Sequence, residues 1–226
     1  MTNTARPGSR LTRDALIPAA GMGERLGLGP KAFLRCGTQT LLERVVTEIR
    51  PFVDNILVTV PPGYRRQVEQ QLGPHVNVFE GGATRQRSID IMLAESQAHI
   101  VLIHDVARPF APGTLFDAVL QAAELHGAAG AFLDPQVPVG FTSDGHVARQ
   151  WPREGARIFQ APQAFKRDIL DRAMAASAGH QFQSTAQMVI EAGFALADVP
   201  GLQENIKITT PFDWLIAQHV IAPMQG

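Results

Sequence analysis

At 226 residues the chain is long enough for one domain with a continuous buried core. Apolar residues make up 45% of it and the formal net charge is −1, which speaks against a broad nonspecific nucleic-acid surface. One cysteine, Cys36, excludes an intrachain disulfide framework, and no uninterrupted apolar stretch is long enough to span a bilayer.

The N terminus, Met1 to Arg13, is polar and lacks the apolar core of a signal peptide. Residues 1–14 read as a loose leader, residues 15–226 as one domain, and the protein as cytoplasmic. Ala15 to Ala20 is an apolar run that predicts a buried strand. It enters a loop of small residues with Gly21 and Gly23, followed by Arg25 and Lys31. Such a loop can aim backbone N–H groups at phosphate oxygens, and two cations nearby could neutralise a polyphosphate. The spacing is neither GxxxxGK[ST] nor a good GxGxxG, so an ordinary strand-to-helix turn with solvent-facing cations stands beside the phosphate-loop reading.

Leu41, Leu42, Val45, Val46 and Ile49 fit an amphipathic helix that ends before Pro51. Asn55–Val60 reads as a second strand stopped by Pro61-Pro62-Gly63, Tyr64–Leu72 as a polar-faced helix, and Val76–Phe79 as a third strand leading to Gly81-Gly82. A helix over Thr84–Glu95 precedes the strand Ile100–Ile103, which exits into His104-Asp105-Val106-Ala107-Arg108-Pro109. A further helix spans Thr114–His126. Alternating strands and helices predict a Rossmann-like three-layer α/β sandwich with a mainly parallel sheet.

Gly130–Leu133 reads as a strand, and two short strands, Val137–Phe141 and His146–Gln150, flank the turn Thr142-Ser143-Asp144-Gly145. Residues 134–156 thus predict a protruding arm whose apolar Val137, Val139, Phe141, Val147 and Trp151 need burial against something. Ile158–Phe165 returns the chain to the main body. Helices follow over Arg167–Ala178 and Thr185–Ala192, then a late strand over Phe194–Val199. Asn205–Ile208 reads as a short strand or extended segment, and Thr210-Pro211 opens a closing helix over Phe212–Ile221.

Five polar islands interrupt these elements: Arg25 and Lys31; Gly82, Arg85 and Ser88; Asp105 and Arg108; Arg153; and Lys207. Several fall beyond the carboxyl ends of the strands, where ligands of open α/β sheets gather. Asp105 could hold Mg²⁺ or a substrate hydroxyl, or be an ordinary polar strand exit; Arg108 and Lys207 suit a second phosphate. No Cys–His cluster supports zinc and no G-x-S-x-G elbow is present. Cations outnumber nucleophiles, which favours phosphate transfer by positioning and charge neutralisation.

Five ordered motifs resemble the 2-C-methyl-D-erythritol 4-phosphate cytidylyltransferase family and its polyol-phosphate relatives. They are Pro18-Ala19-Ala20-Gly21 with Arg25 and Lys31; Gly81-Gly82 with Arg85 and Ser88; His104 to Pro109; Pro162-Gln163 with Phe165; and Asn205 to Thr209 with Pro211 and Asp213. The resemblance implies CTP and a small phosphorylated alcohol as substrates, Mg²⁺ as cofactor, pyrophosphate as a product, and no nucleic-acid or membrane partner. It implies nucleotide binding by Pro18, Ala19, Ala20, Gly21, Gly23, Gly82, Ala83, Arg85 and Ser88, with Gly82, Ala83 and Ser88 at the cytosine. Catalysis would fall to Arg25, Lys31 and Lys207. Asp105, Arg108, Arg153 and Lys207 would hold the acceptor, Asp105 also organising the metal. The arm over 134–156 would form a homodimer, with Arg153 acting in the neighbour's site.

The chain departs from the family pattern on the acceptor side. The usual Asp-Thr-x-Lys is missing from Leu133–Thr142, the acidic pair before the late helix is replaced in Gln183-Ser184-Thr185-Ala186-Gln187, and Thr-Pro-Gln has become Ala161-Pro162-Gln163. Ala83 and Arg87 replace acidic residues near the base pocket. These clustered changes lead us to expect a small phosphonate or a different polyol phosphate as acceptor, with the methylerythritol phosphate enzyme as the alternative. An NAD-linked reductase and a non-catalytic nucleotide-binding dimer are the readings from other classes.

Overall fold

The computed structural model describes residues 10–177, 180 and 182–222. Strand β1 (Arg13–Pro18) lies near the middle of a seven-stranded sheet. Two residues of the expected leader, Arg13 and Asp14, belong to that strand; residues 1–9 lie outside the described residues. Arg13 is anchored there because its N–H donates to Asp54 Oδ2 at 2.8 Å and its guanidinium pairs with Glu124 at 2.7 Å.

A small hairpin, β2 (Arg35–Cys36) and β3 (Gln39–Thr40), precedes helix α1 (Leu41–Ile49). Thr40 and Glu43 form a capping box: Thr40 Oγ1 accepts the Glu43 N–H at 3.1 Å, and the Glu43 carboxylate accepts the Thr40 N–H at 2.6 Å. The five apolar residues of α1 are all buried, each contributing about 1.5–3 kcal/mol. Next come β4 (Asn55–Val60), α2 (Arg65–Leu72), β5 (Val76–Glu80), α3 (Arg85–Glu95), β6 (Ile100–Ile103) and α4 (Gly113–His126).

The second half runs β7 (Ala128–Leu133), β8 (Val139–Ser143), β9 (His146–Trp151), β10 (Ile158–Lys166), α5 (Arg167–Ala176), α6 (Thr185–Glu191), β11 (Ala197–Pro200) and α7 (Pro211–Ile216). A π-helical turn, Ala217–Ile221, takes the place of the expected continuous closing helix. The sheet order is β11-β7-β10-β6-β1-β4-β5. All neighbours are parallel except β10, which pairs antiparallel with β6 and β7. The mainly parallel three-layer sandwich is therefore as expected, with one antiparallel strand inserted.

Strand alternation builds two apolar layers. Ala15 and Ile17 of β1 and Ile100 and Leu102 of β6 face α1, α2 and α4. Leu16, Val101 and Ile103 face α3, α5 and α6. Burial on both sides explains why the central strands read as nearly unbroken apolar runs.

Two expectations take definite form. Asn205–Ile208 forms no strand: side chains, not a ladder, take its carbonyls, and Ile208 N donates to Ala107 O at 2.8 Å. The arm folds as the β8–β9 hairpin, paired only within itself. Its Val137 and Val147 remain 68% and 72% exposed, so burial is not supplied by this chain. Among the described residues no helix is long and apolar enough to cross a membrane.

Candidate active site

β1 has parallel neighbours on both sides, β4 and β6, and a cleft of about 370 Å³ opens beyond the carboxyl ends of this strand group. The loop after β1 forms one wall. Gly23 has φ +72° and a side chain there would collide with Gly29 O, so both backbone and space demand glycine. The N–H groups of Leu26 and Gly27 close onto Gly23 O at 2.9 and 3.1 Å. None of the described hydrogen bonds consumes the N–H groups of Ala20 to Arg25, which leaves them for an anion. Ala19 differs from its expected role: it is buried, and its N–H donates to Thr59 O at 2.8 Å, extending the sheet.

Pro18, Ala20, Gly21, Gly23, Arg25 and Lys31 line this cleft. Gly82, Ala83, Arg85 and Ser88, from the β5–α3 connection, face them. Thr84 caps α3 by accepting the Arg87 N–H at 3.1 Å. Ser88 Oγ accepts the Gly82 N–H at 3.1 Å and donates to Thr84 O at 3.1 Å, so the buried hydroxyl shapes the glycine loop.

Lys31 Nζ donates to Ile208 O at 2.7 Å. Burial lowers its pKa, and Arg25 and Lys207 nearby push the same way, against Asp213 and Asp105. A lysine crowded by cations gains most when a polyanion arrives.

A second cleft of about 480 Å³ adjoins the first, and Arg85, Asp105 and Lys207 line both. Arg85 donates to Asp105 Oδ1 through Nε at 3.1 Å and through a terminal nitrogen at 3.0 Å. Lys207 Nζ donates to Asp105 Oδ2 at 2.9 Å. Burial alone would raise the Asp105 pKa. The Arg85 guanidinium and then the Lys207 ammonium outweigh it and hold the carboxyl well below the ordinary carboxylate range.

His104, fully buried beside Phe116, holds the turn before this triad. Its Nε2 lies 2.9 Å from Arg108 O, and only an Nε2–H tautomer makes that a bond. Burial, the largest influence, pushes the imidazole down to about 4, so it is neutral near pH 7. Nδ1 has no partner among the described residues.

Arg108 lines the second cleft, but its terminal nitrogens donate to Asn205 O at 2.7 Å and Phe159 O at 3.3 Å. It is a strut between loops in this state rather than a free phosphate ligand. Arg153 lines neither cleft; it lies beyond β9, 58% exposed, and pairs with Glu154 at 3.0 Å. Its expected place with the acceptor residues is not met within one chain. Gln160, Gln183 and Gln187 also line the second cleft and were not anticipated as site residues. Their only sequence signal was adjacency to Pro162-Gln163 and to the rewritten segment before α6.

Comparison with known proteins decides the class. A profile of the IspD family, 2-C-methyl-D-erythritol 4-phosphate cytidylyltransferase, matches residues 14–222. A protein of that name from Deinococcus radiodurans is 38% identical over 218 residues, spanning 94% of this chain and 90% of its own. The chain belongs to the IspD family. A relative from Thermus thermophilus is 41% identical over 211 residues, covering 91% of this chain and 95% of its own. The crystal structure of a Thermus thermophilus family member superposes with a TM-score of 0.79 at 36% identity, covering 94% of this chain and 99% of that one. The chain is thus an enzyme, a CTP-dependent cytidylyltransferase, and the readings as an NAD-linked reductase or a non-catalytic dimer fall away.

Proposed function

We propose that this enzyme transfers CMP from CTP to 2-C-methyl-D-erythritol 4-phosphate and releases pyrophosphate. The observation that carries the reading is the Arg85–Asp105–Lys207 triad standing between two clefts, each roomy enough for one substrate. The comparisons favour this acceptor over the phosphonate or other polyol phosphate expected from the clustered replacements, because relatives of that name match along nearly the whole chain. The replaced segment still lines the second cleft with polar residues, Gln183, Ser184 and Gln187, although the Gln187 amide is bonded to Gln183 N and Glu191 and the Ser184 hydroxyl caps α6.

In this reading the triphosphate lies along the open N–H groups of Ala20 to Arg25, with Arg25 and Lys31 neutralising it. The cytosine sits near Gly82, Ala83 and Ser88. The acceptor occupies the second cleft, its phosphate toward Lys207. An acceptor phosphate oxygen attacks the α-phosphorus in line; the new P–O bond forms as the bond to pyrophosphate breaks. A phosphate with a second pKa near 6 is already an anion at neutral pH, so no general base is required. Catalysis is alignment plus cationic stabilisation of the charge gathered in the transition state.

A resident Mg²⁺ on Asp105 does not fit this arrangement. Arg85 and Lys207 occupy both of its oxygens, and the described residues hold no group of three metal-ligating side chains. We assign Mg²⁺ to the CTP substrate as its counter-ion and derive no step through a protein-held metal. We assign the exposed face of the β8–β9 hairpin, with Phe141 and Trp151, to a homodimer contact that would bring Arg153 to the neighbouring site. A cytoplasmic setting accords with CTP as substrate and a free buried Cys36. Pyrophosphate release from CTP–Mg²⁺ across methylerythritol phosphate, ribitol 5-phosphate, glycerol 3-phosphate and small phosphonates tests the reading. Fastest turnover with methylerythritol phosphate is expected; a faster phosphonate or another polyol phosphate would overturn it.

A further inference from the structure

Gln160 is almost completely buried where β10 passes the loop that leads to Lys207, and both ends of its amide are used. Nε2 donates to Leu202 O at 2.9 Å and to Asn205 O at 3.2 Å. Oε1 accepts from Leu202 N at 3.2 Å and Asn205 Nδ2 at 3.3 Å. Asn205, fully buried, returns a donor bond from Nδ2 to Ala161 O at 2.7 Å. The same Asn205 carbonyl receives Arg108, whose other terminal nitrogen reaches Phe159 O. Gly201 completes the lock: its N–H meets Phe132 O at 2.6 Å, and an added Cβ would collide with Gln160 Oε1 and sit 2.8 Å from Phe132 O.

Three segments therefore meet at one amide pair: β10, the loop 201–207, and the turn after β6. None of these side-chain bonds belongs to a sheet ladder or helix; between the backbone bonds at Gly201 and Ile208 they fix the middle of the loop. Two residues further on, Lys207 reaches Asp105, and Ile208 O receives Lys31. We infer that the buried Gln160–Asn205 amide pair, braced by Arg108 on the Asn205 carbonyl, positions the acceptor-side cation Lys207 for the cytidylyl transfer. They are positioning residues: they hold the loop, not the reacting atoms. The inference rests on the proposed reaction for the identity of the acceptor but not for the geometry of the node.

Loss of the node predicts a division between substrates, because the β1 loop that meets CTP takes no bond from Gln160 or Asn205. Gln160→Met keeps length and bulk and removes all four side-chain bonds. Gln160→Glu keeps the accepting oxygen and sets a carboxylate against the Leu202 and Asn205 carbonyls. Gly201→Ala presses on the node from outside.

Steady-state kinetics of pyrophosphate release should show an acceptor KM raised about tenfold or more in each variant, from the lost buried hydrogen bonds. CTP affinity by isothermal titration should fall by a smaller factor than the acceptor KM rises, because the Ala20–Arg25 N–H row takes no bond from the node and the two clefts are linked to it only through Lys207 and the Lys31–Ile208 contact. Folded variants in which both constants are unchanged, or in which both move together, would overturn the inference. Wild-type turnover with methylerythritol phosphate judges the acceptor separately; should another acceptor of the panel turn over instead, the same division is read with that one. Amide hydrogen exchange on the wild type gives a test free of any variant. The Leu202 N–H, which donates to Gln160 Oε1, should be protected in the folded enzyme, and exchange at the rate of an open loop would equally overturn the inference.

Discussion

The first cleft takes much of its wall from one stretch, Ala20 to Lys31, which offers mostly backbone N–H groups and two of the four cations that line it. The second is assembled from five separated segments, around Arg85, Asp105–Arg108, Phe159–Gln163, Gln183–Gln187 and Lys207, joined by side-chain hydrogen bonds. The difference teaches where each cleft is vulnerable. A backbone cradle depends on a few glycines and on the strand before it, whereas an assembled pocket depends on buried amides, Gln160 in its wall and Asn205 behind it.

The largest expected effect breaks the cradle side. Lys31→Ala should lower kcat about 10²–10³-fold, the scale of losing one charge-stabilising donor, read as pyrophosphate release at saturating CTP. A loss smaller than that of an ordinary surface lysine would mean Lys31 remains on Ile208 O during turnover. A smaller effect sharpens the acceptor side: Lys207→Ala should raise the acceptor KM about 10- to 100-fold, the range for a lost charge-assisted hydrogen bond. Equal rises in the KM of both substrates would dissolve the division between the clefts.

The third expectation touches stability beneath both clefts. In the folded protein His104 has its pKa depressed to about 4 from the ordinary 6.5. Between those values the unfolded chain holds a proton that the folded chain does not. His104 therefore contributes stability that is complete above pH 6.5 and lost as pH falls toward 4, roughly 3 kcal/mol in all. Asp105 titrates below this window. Urea midpoints compared at pH 7 and pH 4.5 should fall in the wild type and fall less in His104→Asn. Parallel losses would assign the slope to other groups.

Much of the fold was legible. The strands β1, β4 and β6 were readable as apolar runs, because sheets covered on both faces need no polar alternation, and edge strand β5 as a short alternating one. Helix α1 was readable from its apolar spacing, and the arm from two short runs about an Asp-Gly turn. The antiparallel insertion of β10 was not, because Ile158 to Phe165 carries the same apolar character whichever way it runs. Nor was the anchoring of Arg13, whose partners are 41 and 111 residues away.

The sequence by itself determined the cradle, since a strand, small residues, glycines and cations within one short stretch are a local property of the chain. It also named Asp105, Arg85 and Lys207 as charged residues beyond strand ends. Only the tertiary structure decided that these three form one ion triad, that Arg108 is occupied by two carbonyls, that Ala19 belongs to the sheet, and that Arg153 stands apart from both clefts. The reason is physical. An N–H row is set by local dihedrals, but the partner of a long charged side chain is set by which loops the packed sheet brings within 3 Å, across about 100 residues for Lys207 and Asp105.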